Sequence, residues 1–432
     1  MTEAPELDVP LIWRRARDKS AVILLHRWYP QMGINYLFCN LSAYGRTNIA
    51  VLISVILIAT IGLQAQDGVP RETGGPPILK IGSPAPDFDL PGVDGKQHRL
   101  SDYASAKVLV IVFTCDHCPV AQMYEKRIKQ LTSDYRDREV AVVAINPNDP
   151  KAIHLSEMGH TDLGDTLPEM KLRAEYRHFN YPYLFDGATQ SAALKYGPTA
   201  TPHIFIFDQQ RKLQYEGRID NNTREALATR HEARDALDAL LAGKPLQVTS
   251  TPAVGCSTKW AYKEAGAEAE LNNSDSHPAA VEGVSPDQVK GLRPSSGRLL
   301  LVNFWATWCE PCMTEFPEIQ KMAHIYKKRA LDIVTVSINN PDEKKFVQSF
   351  LDEQHAMTRN LLFTGTDTAE AVKAFGTGWS GAVPYTVLIG VNGEVLYREQ
   401  GRMDALNVRR AILKNLPDDR YIGQHEYWNA TF

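Results

Sequence analysis

The chain has 432 residues, of which 44% are hydrophobic and 23% charged, with a formal net charge of −4. That length accommodates two or three domains of ordinary packed composition. The weak net charge gives no sign of nucleic-acid or acidic-substrate binding, and six cysteines are too few to staple a chain of this size.

Residues 49–63 are an apolar run broken only by Ser54 and Thr60, with Arg46 before it and Asp67 after it. Its 15 residues fall short of the about 20 that a spanning helix needs. Residues 49–65 therefore read as a signal-peptide h-region or a membrane anchor, with a buried core helix as the third alternative. Either of the first two puts the remainder outside the cytoplasm, in the periplasm or on the outer face of the membrane. The extension 1–48 is long for a signal n-region. Met32 is a candidate true start, which peptides from upstream of it would refute. Cys39 lies in this extension and receives no role.

Residues 66–77 carry several Gly and Pro and read as a linker. A first domain is expected over 78–247. It opens with a hairpin, 88–90 and 97–100, around Asp94-Gly95. An apolar, β-branched strand over 108–114 follows, then Cys115-Asp116-His117-Cys118 and a helix over 119–135 with Pro119 in its first turn. Next come strand 140–145, helix 167–179, strand 183–185 and a short helix at 190–196. Thr201-Pro202, strands 203–208 and 212–218, and a helix over 223–241 capped by Thr223 complete it. Residues 248–280 read as a linker carrying Cys256. The part with Gly255, Cys256 and Trp260 is suited to pack back on the first domain, whereas 265–280 is expected to be mobile.

A second domain, 281–416, repeats the plan. Strand 299–305 leads to Cys309-Glu310-Pro311-Cys312 and a helix to 329. Strand 332–338, helix 342–353, strand 361–363 and helix 368–375 follow. Val383-Pro384 opens strand 385–391, Asn392-Gly393 turns the chain into strand 394–399, and helix 404–416 closes the domain. The tail 417–432 carries no readable signal. The fold class is α/β, two tandem domains of one plan, each a central mixed sheet flanked by helices.

Two cysteines two residues apart, where a strand meets a helix, suit redox chemistry. The helix N-terminus offers unsatisfied N–H groups and partial positive charge, and both favour a thiolate. Cys115, Cys118, Cys309 and Cys312 are thus the candidate catalytic residues. The residues between them tune the couple: His117 stabilises a thiolate, Asp116 opposes it, and Glu310, next to Pro311, raises the thiol of Cys309. The second site is expected to be the more reducing. Cys256 is either a small buried hydrophobe or a third thiol exchanging with Cys115 or Cys118. His203 lines the first site or is a surface or capping residue. The two cysteine pairs are too far apart for a zinc site, and no glycine-rich phosphate loop occurs, so neither metal nor organic cofactor is expected.

The order strand, C-x-x-C, helix, then a proline opening a later strand resembles the thioredoxin superfamily over 78–247 and 281–416. The resemblance implies that Pro202 and Pro384 are cis and face the dithiols. It implies that Thr201, Pro202, Val383 and Pro384 hold a substrate backbone. It also implies a helix kinked at Pro317, where the first half has Met123 and a straighter helix. Residues Asn303 to Cys312 resemble the ResA/TlpA group of exported thiol–disulfide oxidoreductases. Asn303 stands where ordinary thioredoxins have a buried aspartate, so deprotonation of Cys312 needs another route, such as water. Pro84-Ala85-Pro86-Asp87-Phe88, Asp94-Gly95-Lys96 and Leu100-Ser101-Asp102 resemble the redoxin branch that includes the AhpC/TSA peroxiredoxins. Ile111-Val112-Phe113-Thr114 departs from the Pro and Thr set that precedes a peroxidatic cysteine.

The implied function is a thiol–disulfide oxidoreductase that exchanges disulfides with substrate proteins and relays electrons between its domains. Cys115 and Cys309 attack, Cys118 and Cys312 resolve, and a membrane thiol electron carrier supplies or takes the electrons. A thiol peroxidase and a non-catalytic, membrane-tethered binding module are the alternatives.

Overall fold

The computed structural model describes residues 75–274, 279–365, 367–418 and 424–430. The expected signal or anchor segment and most of the linker 66–77 lie outside the described residues. Among the described residues no helix is long and apolar enough to cross a membrane.

Every side chain of Val108–Phe113 is apolar and buried, so this strand sits at the centre of its sheet. The first domain runs β1 (Asp89–Pro91), β2 (Gln97–Arg99), β3 (Val108–Phe113), α1 (Pro119–Tyr135), β4 (Val140–Asn146), α2 (Leu167–Tyr176) and β5 (Tyr183–Phe185). It continues through α3 (Ala193–Tyr196), β6 (Ala200–Thr201), β7 (His203–Phe207), β8 (Leu213–Gly217) and α4 (Glu232–Leu241). Its main sheet has the order β5-β4-β3-β7-β8, with the first three strands parallel and the last two antiparallel. Alternation along β3 divides the core. Val108, Val110 and Val112 pack with Tyr124, Ile128 and Leu237 of α1 and α4. Leu109, Ile111 and Phe113 pack on the other face with Tyr196 and Trp260.

The chain then forms β9 (Cys256–Ser257), α5 (Glu264–Ser274), β10 (Val281–Val284), α6 (Pro286–Lys290), β11 (Leu299–Trp305) and α7 (Glu310–Tyr326). After these come β12 (Leu331–Ser337), α8 (Lys344–Glu353), β13 (Arg359–Phe363), α9 (Thr368–Phe375), β14 (Tyr385–Ile389), β15 (Val395–Gln400), α10 (Ala405–Asn415) and α11 (Gln424–Asn429). The second sheet has the order β10-β13-β12-β11-β14-β15, again parallel up to the cysteine-bearing strand and antiparallel beyond it. Leu299, Leu301 and Trp305 pack under α7 and α10, and Leu300, Val302 and Phe304 face Phe375 and Trp379. Gly393 takes φ +87° in the β14–β15 turn, a conformation that favours glycine.

Both domains belong to one compact unit, Glu72–Phe432. Ile153 and Met158 of the first share a buried cluster with Ile325 and Tyr326 of the second. Around it, second-domain arginines bind the segment 159–162. Arg329 donates to the Gly159 carbonyl, Arg409 to the Thr161 carbonyl at 2.9 Å, and Arg410 to Asp162 at 2.7 Å.

Several expectations are corrected. The helix expected from Thr223 begins only at Glu232, after a short 3-10 turn, Glu225–Leu227. Arg127 takes the carbonyls of Asn222 and Thr223, and Asn221 accepts the Thr229 and Arg230 N–H groups, so this backbone is committed elsewhere. Part of the stretch expected to be mobile is α5, whose Glu270 bonds His154 at 2.7 Å and Lys327 at 2.9 Å, one partner in each domain. The unread tail holds α11. Its Tyr427 hydroxyl donates to Glu125 at 2.9 Å and accepts from Arg173 at 2.5 Å. The sequence reading also missed β10 and α6. Amphipathic patterning shows little in an Ala- and Glu-rich helix or in elements of four to six residues.

Candidate active site

Each dithiol sits where its central strand runs into the long helix, but the two helices start at different cysteines. In the second domain Cys309 is the N-cap. Its carbonyl takes the first helical bond, from Met313 N–H at 3.1 Å, and its sulfur accepts the Cys312 N–H at 3.3 Å. In the first domain the N-cap is Cys118, followed by Pro119, and the Cys118 carbonyl takes the bond from Gln122 N–H at 3.0 Å. The helix-start stabilisation that the sequence suggests for Cys115 therefore falls on Cys118.

Cys309 and Cys312 form a disulfide, and Cys115, Cys118 and Cys256 are free thiols. Glu310 and Pro311 are exposed at the start of α7, and Trp308, next to Cys309 in sequence, is 63% exposed. Pro317 lies inside α7, which continues to Tyr326. The Val383–Pro384 bond is cis. Beneath the site, Asn303 donates to Glu315 Oε1 and Thr386 Oγ1, both at 3.0 Å, and Met403 N–H donates to Glu315 Oε2 at 2.8 Å. Burial pushes the Glu315 carboxyl up, against the pull of those bonds. An acid therefore enters from α7, three residues after Cys312, rather than from the strand. Sequence reading missed it. The signal was a glutamate beside Phe316 on the buried face of α7.

The first site is more enclosed. Cys115, Asp116, His117 and Cys118 are all buried, as is Thr201, and Thr201–Pro202 is cis. Cys115 Sγ lies 3.0 Å from Thr201 Oγ1. Cys118 Sγ lies 3.4 Å from the Thr201 carbonyl, to which its S–H donates when protonated. Asp165, on the loop before α2, organises the turn. It accepts the Asp116 N–H at 2.9 Å, the His117 N–H at 3.1 Å, His117 Nδ1 at 2.7 Å and Asn148 Nδ2 at 2.8 Å.

Burial opposes charge on both members of the pair, yet their mutual attraction holds His117 above its usual range and Asp165 below its own. Burial pushes the Cys115 thiol well up. Burial works the same way on Cys118, but hydrogen bonds with Cys115 and Cys256 and the nearby His117 charge outweigh it and pull that thiol well down. Asp116 does not act as the opposing charge that the sequence suggests. Burial drives its carboxyl well above the usual range, and Tyr183 donates to it at 2.9 Å.

The remaining candidates separate. Cys256 is half-buried against the Cys115–Cys118 pair, and its N–H donates to Cys118 Sγ at 3.3 Å. His203 is not a surface residue, and its Nδ1 accepts the Thr199 N–H at 3.2 Å. It is fully buried, 2.9 Å from Glu216, and stacks near Phe205. Cys115, His117 and Asp165 bring ligand-type atoms within 4.8 Å of one another. An ion there would displace the Asp165–His117 hydrogen bond that shapes the turn.

Two family models match the chain: the AhpC/TSA family over residues 81–216 and Redoxin over residues 272–413. The thiol-disulfide oxidoreductase ResA of Geobacillus kaustophilus is 32% identical over 141 residues, 31% of this chain and 76% of that protein. ResA of Bacillus subtilis is 27% identical over 139 residues, covering 32% and 73%. A hypothetical protein of Sinorhizobium meliloti, solved by crystallography, is 32% identical with a TM-score of 0.38, covering 43% of this chain and 96% of that one.

Proposed function

Because the chain belongs to the ResA-type thiol–disulfide oxidoreductases and carries two thioredoxin-like domains in tandem, we propose that both of its C-x-x-C pairs exchange disulfides with substrate proteins and pass electrons between them. The observation that carries the reading is Cys309 at the N-cap of α7, its sulfur receiving the Cys312 N–H at 3.3 Å and already paired with Cys312. In the reducing direction, Cys309 thiolate attacks a substrate disulfide and is left as a mixed disulfide, releasing one substrate thiolate. Cys312 then attacks Cys309 sulfur, frees the second thiolate and leaves the Cys309–Cys312 disulfide. The Glu315 carboxylate is the base this reading assigns to accept the Cys312 proton. Trp308 and the cis Val383–Pro384 edge hold the substrate backbone. A membrane thiol carrier outside the cytoplasm restores the dithiol, and residues 49–65 export or anchor the chain.

The test is capture in the native compartment with Cys312→Ala and Cys118→Ala full-length variants. Stable mixed disulfides with proteins are expected, and none with either variant would reject the function. The AhpC/TSA match over residues 81–216 favours one second reading, a thiol peroxidase at the first site. That reading requires hydroperoxide consumption that disappears with the first-site thiols.

A further inference from the structure

The edge beside Pro202, where an incoming backbone would lie, is already occupied. Strand β9 pairs antiparallel with β6, with Thr201 opposite Cys256 and Ala200 opposite Ser257. The fit is close. A Cβ on Gly255 would come within 1.9 Å of the Thr201 carbonyl oxygen, so only glycine lets the segment in. The residues that follow fix its position. Thr258 hydroxyl donates to the Pro198 carbonyl at 2.7 Å, Lys259 N–H to Asn148 at 2.8 Å, and Trp260 is buried in the core. At the second site, among the described residues, no strand pairs with Val383.

We propose that β9 is a built-in substrate strand and that Cys256 is a third redox thiol, through which the buried first dithiol exchanges with external disulfides. The inference rests on the thiol–disulfide reading above and adds the route into one of its two sites. Accessibility supports it: Cys115 is 2% exposed and Cys118 fully buried, whereas Cys256 is partly open to solvent. Proximity supports it too, since Cys256 packs on that pair and gives Cys118 its N–H. The Cys256 thiol is pushed up, first by its hydrogen bond to Cys118.

The steps balance. The Cys118 thiolate takes the Cys256 proton as Cys256 opens an external disulfide RS–SR, forming Cys256–S–SR and releasing RS⁻. Cys118 attacks the Cys256 sulfur, forming the Cys118–Cys256 disulfide and releasing the second RS⁻. Cys115 attacks Cys118, forming Cys115–Cys118 and returning Cys256 as the thiolate. The external disulfide gains two electrons, and the two protons from Cys115 and Cys118 leave with the two RS groups.

The test uses the full chain with Cys309→Ser and Cys312→Ser, so that only the first site reports. Adding Cys115→Ser strands the second step, and peptide mass mapping across a dithiothreitol redox series should find a Cys118–Cys256 disulfide. Its absence at every ratio overturns the proposal. Cys256→Ser keeps a hydrogen-bond donor but no thiol. It should slow exchange with oxidised glutathione by about tenfold or more, by loss of the accessible sulfur, while the Cys118 thiolate absorbance remains. Gly255→Ala, which removes no thiol, should slow it too. An unchanged rate in either variant overturns the proposal. A chain that forms the Cys118–Cys256 disulfide yet never exchanges with a protein disulfide would overturn the functional reading alone.

Discussion

The two dithiols share a spacing but not a register. In the second domain the helix starts at the first cysteine and in the first domain at the second. One site is fronted by an exposed tryptophan and, at Val383, an edge with which no strand pairs among the described residues; the other is roofed by a strand of its own chain. A C-x-x-C motif fixes which sulfurs meet. The cap sets which cysteine stands at the helix start, and at the first site that cysteine also receives the hydrogen bonds of Cys115 and Cys256 and the charge of His117.

The largest effect expected from this difference is a reversal between sites. With Cys118→Ser, iodoacetamide labelling of the Cys115–Cys118 pair at neutral pH should fall about 100-fold from wild type, since Cys115, the buried thiol left behind, stays protonated. Cys115→Ser should leave Cys118 labelling near wild type in the reduced, partly opened protein. At the second site Cys309→Ser should be the damaging change. Equal losses at Cys115 and Cys118 would abolish the distinction.

Asp165→Asn tests what holds the first turn. The amide still accepts N–H bonds but loses the charge facing His117, at a cost of about 2 kcal/mol in urea unfolding. His117 is raised from 6.5, so its contribution is complete below about that pH and fades as pH rises through the folded value. Asp165 is depressed from 3.8, so its contribution is complete above about that pH and fades as pH falls through the folded value. The stability gap between wild type and variant should therefore be widest from about pH 4 to 6.5 and narrow on both sides. A gap independent of pH would remove the ion pair from the account.

The potentials should differ by a smaller amount. Quantifying each disulfide by its own peptides in one titration of the full chain should show the second site more reducing, by about 30 mV or more within the family range of roughly −270 to −120 mV. Coincident or reversed values would sink that ordering. The smallest change is expected from Glu310→Gln. Its carboxylate is exposed and screened, so the second potential should move by less than about 10 mV.

Much of this was legible because strong signals are local. Val108–Phe113, with six buried apolar residues, and Pro119 at the first helical turn announce themselves in sequence. So do the paired cysteines and the two cis-prolines of the family pattern. What was hidden depends on partners far along the chain. Asp165 reaches back 48 residues to His117, and Tyr427 lies 302 residues from Glu125. Neither spacing nor periodicity encodes such contacts. The sign of Asp116 was misread for the same reason, because its charge depends on burial rather than on its neighbours in sequence.

The segment from Gly159 to Asp165 has one further consequence. Its first part is gripped by Arg329, Arg409 and Arg410 of the second domain, and its last residue holds the backbone of Asp116 and His117. Thermodynamic reciprocity applies to such a bridge. Whatever free energy the second domain's grip contributes to the first dithiol, the oxidation state of that dithiol returns to the grip in equal measure. The state of the first dithiol and the hold of Arg329, Arg409 and Arg410 are thus tied through one segment, Gly159 to Asp165.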